Sequence, residues 1–374
     1  FTGGISAYWE IKGAVDNEQA CKGFFVLSGK ALQRHQQKLV EITEELFLRA
    51  RFDELERIRE LVALLASRRE HGITNNGHGL AMVAATSRLS PAALVSHRAS
   101  GLEGVRWVMA LDKSLNDKDN LEQLAEQMRA LHEKIVSQAV RFLAIAEHNN
   151  LRDFTRCIDR VWSANEISEH SVDMAIEPIR EHSNVGWITN SQVSFCAKVF
   201  ATVTVNHPDA PALTVLGHYL RNGYLHRTIR EQGGAYGAGA GQDSANAIFR
   251  FYSYRDPRIG GTLHDFDESL IWLVEEEMQP EALEQAILGV VSGIDKPRSP
   301  AGEAKSAFHN ELFGRSPSQR RDFRRRILQV TEVDLLDVAK KYFEGKPASV
   351  AVVSGESALE TFESLGLEVH RLQS

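Results

Sequence analysis

Residues 225–236 read Leu-His-Arg-Thr-Ile-Arg-Glu-Gln-Gly-Gly-Ala-Tyr, and Gly-Ala-Gly-Ala-Gly follows at 237–241. The first half of this stretch is helical in composition. Gly233 and Gly234 then end the helix, because paired glycines favour the reversal that stops one. The five residues behind them carry almost no side chain and suit an extended strand whose backbone stays open to another chain. Arg230 before the break and Tyr236 after it are therefore placed for contact rather than for packing.

A glycine run can also cradle a phosphate, but such loops follow a strand and open a helix, so that the helix N-terminus faces the anion. Here a helix comes before the run, and Ile-Phe-Arg-Phe-Tyr-Ser-Tyr at 248–254 is a strand. A nucleotide-dependent enzyme is disfavoured on that order. The formal net charge of −7 argues against a general nucleic-acid binder. The basic run at 320–326 reads as the solvated face of an amphipathic helix, or as a contact for acidic residues elsewhere.

Around this stretch the pattern alternates strands and helices twice. Residues 5–12 and 22–28 form a plausible antiparallel pair. Helices follow at 39–47, at 52–69 and through 80–89. Ser90 caps another and Pro91 takes its first position. More helix occupies 120–131, Leu-Ala-Ile-Ala at 143–146 has strand character, and a further helix runs from 150 to about 163. The polar stretch 166–184 separates two apolar regimes. Beyond it come a strand at 196–205, a helix at 210–222 ended by Gly223, and a strand at 247–254 running into Arg255-Asp256-Pro257. Asp256 and Arg255 read as a local ion pair at a turn. Thr262 with Asp265 reads as an approximate capping box, Pro280 opens a helix, and Thr331 with Asp334 caps the next. Ser-Val-Ala-Val-Val at 349–353 is a strand buried on both faces; a short helix and a strand at 368–372 close the chain.

The expected class is α+β: two related units, residues 1–175 and 176–374, each a mixed, mainly antiparallel sheet with helices packed on one face. The three cysteines, Cys21, Cys157 and Cys196, are scattered and form no C-x-x-C. A disulfide framework is not expected, and a reducing compartment, cytoplasm or organelle matrix, fits better. No apolar run approaches the roughly 20 residues of a membrane helix, and no membrane partner is expected. The opening Phe-Thr-Gly-Gly, without Met or a signal peptide, reads as a piece of a longer polypeptide.

The wording of two regions carries a resemblance. Arg-Glu-Gln-Gly-Gly-Ala-Tyr-Gly at 230–237, followed after a strand by Phe-Tyr-Ser-Tyr-Arg-Asp-Pro at 251–257, resembles the C-terminal half of the presequence-peptidase, falcilysin-like branch of the insulinase/pitrilysin metallopeptidases. Phe-Phe-Val-Leu-Ser-Gly-Lys-Ala-Leu at 24–32, with Asn-Gly-His-Gly-Leu-Ala at 76–81 and Leu-Ser-Pro at 89–91, resembles the family's third unit. The resemblance implies a clamshell of two halves enclosing a chamber that admits unstructured peptides. It places Arg230 and Tyr236 opposite a zinc site carried by the N-terminal half, which is the expected partner. Gly237, Ala238 and Gly239 would then line the bound peptide, and His226, one helical turn before Arg230, would shape the site. For Arg230, Tyr236 and His226 the plainer alternatives are a helix-end cation, a ring packed over glycines and a surface histidine.

The family's inverted zinc motif, His-x-x-Glu-His, is absent. Glu70-His71, Glu147-His148, Glu169-His170 and Glu181-His182 have Ser67, Ala144, Glu166 and Pro178 where the first His should stand. His132-Glu133 begins the forward motif, but Val136 occupies its second His. The expected role is therefore a non-catalytic half, inactive alone, that binds no zinc itself. The alternative is a stand-alone, catalytically silent subunit of the same fold.

Overall fold

A computed structural model describes residues 2–163 and 174–372. The chain opens on a hairpin of β1 (Ile5–Gly13) and β2 (Cys21–Gly29). Six helices follow: α1 (Gln36–Leu48), α2 (Leu55–Thr86), α3 (Pro91–Ser100), α4 (Leu102–Ser114), α5 (Lys118–Val136) and α6 (His148–Trp162). Next come β3 (Asn184–Ile188), β4 (Phe195–Ala201), α7 (Ala210–Leu220), a π-helical stretch (Arg221–Gln232), β5 (Gly237–Asp243) and β6 (Ile248–Tyr254). The chain closes with α8 (Gly260–Glu275), α9 (Pro280–Asp295), α10 (Pro300–Leu312), α11 (Pro317–Ile327), α12 (Glu332–Tyr342), β7 (Ala348–Ser354), α13 (Leu359–Ser364) and β8 (Glu368–Arg371).

The α+β class holds, with strands unequally shared. Six strands form one mixed sheet in the order β5-β6-β4-β7-β3-β8, in which β3 runs parallel to β7 and β8 and the other pairs are antiparallel. The described part of residues 1–175 contributes only the two-stranded hairpin. The expected strand at 143–146 is not formed, and residues 137–147 have no regular structure; four apolar residues without a neighbouring strand cannot hold a ladder. The expected unit boundary adjoins 164–173, outside the described residues.

The large sheet is covered on both faces, not one. Strand alternation divides its side chains. Cys196, Phe200, Phe249, Phe251 and Val352 face a core built with Leu213, Leu216, Phe266, Leu335 and Phe362. Phe195, Ala197, Val199, Ala351 and Val353 face the opposite way, onto Ile73, Leu80, Ala81, Ala84, Leu102 and Val105 of α2 and α4. The helices over this second face thus come from the N-terminal part of the chain. The two segments read as separate helices around 52–89 are one helix with a kink at Asn76 (φ −126°, ψ 22°). Gly77 lies beyond the kink, where a Cβ would come 2.3 Å from the Phe195 ring, so helix and sheet meet at backbone distance. The Arg180 guanidinium, linking the two parts, donates to the carbonyls of Leu89 (3.2 Å), Thr202 (3.1 Å) and Ala247 (3.2 Å).

Other local readings hold. Ser90 caps α3 with Pro91 at its start, Pro280 opens α9, and Thr331 and Asp334 form the reciprocal capping box of α12. Of the basic run, Arg324 pairs with Asp295, and Arg325 and Arg326 pair with Asp322.

The same face of the sheet holds a buried titratable group. His97 of α3 is 4% exposed and lies edge-on to Trp187, whose other neighbours are His370 and Arg106. Burial pushes the His97 pKa down to about 4, against the opposing pull of Glu103 at 4.0 Å. The unfolded chain takes up this proton near pH 6.5, before the folded protein does. The neutral imidazole's contribution is therefore complete above about pH 6.5 and is lost as pH falls towards 4, at up to about 1.4 kcal/mol per pH unit. Urea midpoints measured at pH 7 and pH 4.5 should fall steeply, and His97→Leu should flatten the part of the fall that belongs to this residue.

Candidate functional site

The helix that should have stopped at Gly223 does not stop there. α7 passes into the π-helical stretch Arg221–Gln232, which adds a residue per turn without breaking the run. Gly223 serves packing instead: a Cβ there would come 2.5 Å from the Trp272 ring, which Tyr219 and Tyr224 also flank. Leu225 and Ile229 are fully buried in the core, which fixes the rotation of the π stretch and turns His226 and Arg230 outward.

The end of the helix is at Gly233-Gly234, as the composition predicts. Gly233 N–H donates to Thr228 (2.9 Å), Gly234 N–H to Arg230 (3.2 Å) and Ala235 N–H to Ile229 (3.1 Å). Gly234 sits at φ +80°, a conformation costly for any residue with a Cβ. The buried Ala235 then anchors the chain, and Tyr236 emerges 69% exposed. Its backbone N–H donates to the Arg255 carbonyl (3.3 Å), and its ring stands edge-on to Tyr254 with centroids 5.6 Å apart.

Arg230 is exposed, and its Nη1 donates to His226 Nε2 at 3.2 Å. A guanidinium only donates, so this imidazole nitrogen accepts, and the N–H falls on Nδ1, 3.4 Å from Glu231. His226 thus orients Arg230 and leaves most of its five donors for other partners.

β5 is the edge strand of the large sheet, paired to β6 alone among the described strands. Ala238 and Ala240 pack towards the core under α7, while Gly237, Gly239 and Gly241 face the other side. A Cβ at Gly237 or Gly241 would meet nothing within 4 Å, whereas one at Gly239 would meet the Tyr252 hydroxyl at 2.7 Å. So Gly237 and Gly241 open the strand's surface, and Gly239 makes room for Tyr252. On this face Tyr254 also meets His78 of α2 (4.9 Å), Phe195 (5.8 Å) and the Arg255 guanidinium (5.4 Å). Burial lowers the His78 pKa below its ordinary value.

The turn after β6 differs from its sequence reading. Asp256 is wholly buried and makes no ion pair with Arg255; its carboxylate accepts from the Thr262 hydroxyl (2.8 Å) and the Arg258 N–H (3.0 Å). Thr262 lies inside the first turn of α8 rather than at its cap, and Asp265 pairs with Arg258 instead of closing a capping box. The sequence reasoning passed over Tyr254, His78 and Arg258; for the first two the available signal was the same pair of segments that carries the family wording. Among the described residues no group of three His, Cys, Asp or Glu could hold a metal ion, so these residues do not fit a zinc site. No described helix is long and apolar enough to cross a membrane. The three cysteines are free, Cys157 and Cys196 buried and Cys21 half-buried.

The fold is that of an M16 peptidase unit pair: it superposes on the structure titled peptidase M16 inactive domain from Pseudomonas fluorescens with a TM-score of 0.59, at 15% identity, over 94% of this chain and 81% of that one. The family model for the domain associated with subfamily C of the M16 peptidases matches residues 1–111, and the PreP C-terminal domain model matches residues 188–354. The chain is 26% identical over 345 residues to a protein named mitochondrial presequence protease from Yarrowia lipolytica, and 27% identical over 365 residues to one from Danio rerio, in each case over 91% of its length. The chain belongs to the presequence-protease branch of the M16 peptidase family and corresponds to the C-terminal half of its members. It spans about a third of those two relatives, 34% and 35% of their lengths.

Proposed function

We propose that this chain is the non-catalytic half of a zinc-dependent oligopeptidase that degrades unstructured peptides in a closed chamber. The observation that carries this reading is one arrangement: Arg230 and Tyr236, both exposed, flank the Gly233-Gly234 break beside an edge strand with an open glycine face. Zinc, held by the N-terminal half of the same polypeptide, supplies the activated water. The residues of this chain bind and orient. The free edge of β5, at Gly237, Ala238 and Gly239, offers backbone donors and acceptors to an extended peptide. Arg230, steered by His226, donates to carbonyl oxygens along that peptide. The Tyr236 hydroxyl donates to the oxyanion that develops as the carbonyl is attacked. The division at residues 175 and 176 belongs to this reading, as do a mitochondrial setting and presequence-type substrates, which come from the relatives' names.

A second reading is a silent stand-alone subunit. It is favoured by the close match in size to the Pseudomonas fluorescens chain, of which 81% is covered. One experiment separates the two. The isolated chain should cleave no peptide and hold no zinc after exhaustive dialysis, and adding the N-terminal half in trans should bring chelator-sensitive cleavage of an unfolded peptide. One tightly held zinc per isolated chain would overturn the non-catalytic assignment. Failure of every such pairing, together with a stable complex with a separate active peptidase, would favour the subunit.

A further inference from the structure

We infer that Arg258 is a positioning residue for Tyr236, acting through the glycine break; this rests on the reading of Tyr236 given above. The loop 255–258 runs alongside the break and touches it at three successive points. The Arg255 carbonyl accepts the Tyr236 N–H at 3.3 Å. Pro257 lies 3.5 Å from where a Cβ of Gly234 would stand. The Arg258 guanidinium occupies the space over Gly233, where a Cβ would come 2.0 Å from Nη2 and 2.5 Å from Cζ. Contacts from 255 to 236, 257 to 234 and 258 to 233 make the loop a template against which the break is set.

The template is itself rigidly held. The buried Asp256 exchanges both backbone hydrogen bonds with Ser194, at 2.8 and 2.9 Å, and its carboxylate holds Arg258 N–H and Thr262. Arg255 stands at φ +49°, a left-handed conformation that an arginine adopts only when its surroundings impose it. The Arg258 side chain crosses from the loop to the end of the π stretch, and Nη2 donates to Asp265 of α8 at 2.7 Å. The guanidinium is thereby clamped between Gly233 and the first turns of α8, with Nη1 3.5 Å from where a Cβ of Gly261 would stand. A cation at the C-terminal end of a helix is also favoured by the carbonyls exposed there.

This arrangement explains why Gly233 is glycine although its φ of −82° suits any residue: the side-chain space belongs to Arg258. It also sets a functional consequence. Tyr236 is exposed, and its ring touches one neighbour, Tyr254. Its direction is therefore decided by the backbone from 233 to 236, and a small rotation there carries the hydroxyl away from the reacting carbonyl.

The test is a double-mutant cycle in the full-length protein, with kcat and KM measured on an unfolded peptide. Arg258→Met should lower kcat by about tenfold to hundredfold, the scale of an ångström-sized misplacement, with KM held within about threefold. In a Tyr236→Phe background the same substitution should cost less than about twofold, because the hydroxyl it positions is already gone. Asp265→Asn should reproduce the kcat loss in part; if melting curves show that Arg258→Met does not fold, it carries the cycle alone. A normal kcat in the single variants, or losses that multiply in the double variants while Tyr236→Phe itself lowers kcat, overturns the positioning role. If Tyr236→Phe leaves kcat unchanged, the reading of Tyr236 fails and this inference fails with it.

Discussion

In the full-length protein, Tyr236→Phe lowers kcat by about 10² to 10³, or about 2.7–4 kcal/mol of transition-state stabilisation, and leaves the melting temperature where it was. The two halves of that expectation have separate causes. The ring is kept, so its edge-on contact with Tyr254 survives. At 69% exposure the hydroxyl has no packing role whose loss would be felt in folding. What disappears is one donor aimed at a charge that exists only in the transition state, which lowers kcat without changing ground-state binding. Arg230 should behave differently. A guanidinium that pairs with peptide carbonyls in the ground state contributes to binding, so Arg230→Ala raises KM more than it lowers kcat.

The largest structural effect is expected at Gly217→Val. α7 lies directly on the glycine strand: a Cβ at Gly217 would come 2.6 Å from the Gly241 Cα and 2.9 Å from the Ala240 oxygen. Both atoms are backbone, so no side chain can swing aside, and β5 must move. We expect a loss of about 3 kcal/mol, the upper end for overpacking, and a melting temperature lower by about 4 °C for a chain of this size. Peptide binding should weaken in parallel, since the displaced strand is the proposed peptide edge. Gly241→Ala is the control. Its Cβ points into open space, and its stability should stay within about 0.5 kcal/mol of the parent. Equal stability for both variants would mean that helix and strand are not in backbone contact.

Much of this was legible in the sequence, for reasons that differ between elements. Caps act within one turn, so Ser90, Pro280 and the Thr331–Asp334 box could be read locally. The stop at Gly233-Gly234 is equally local, since it requires a positive φ at Gly234. Gly223 was misread because a glycine also marks close packing, and its partner Trp272 lies in another helix. Asp256 was misread for the same reason: its carboxylate is held by Thr262, six residues on, and by a backbone N–H, while its neighbour Arg255 lies over Tyr254. The sharing of one sheet by both parts of the chain was invisible, because pattern shows that a face is apolar and not which helix covers it. Phe195 and Gly77 meet across 118 positions of sequence. The site followed the same rule. Arg230 and Tyr236 stood out beside the glycines, whereas Arg258 acquires its role only when the turn after β6 folds back onto them.

The most direct test of the central claim is amide hydrogen exchange of the full-length protein, with and without an unfolded peptide, in the zinc-depleted form that cannot cleave it. Alternate N–H groups of an edge strand point away from their only ladder and exchange readily. If β5 receives the peptide, exchange across 236–243 should slow when peptide is added, and Gly217→Val should abolish the effect. Unchanged exchange across 236–243, with protection appearing elsewhere in this half, would contradict the account.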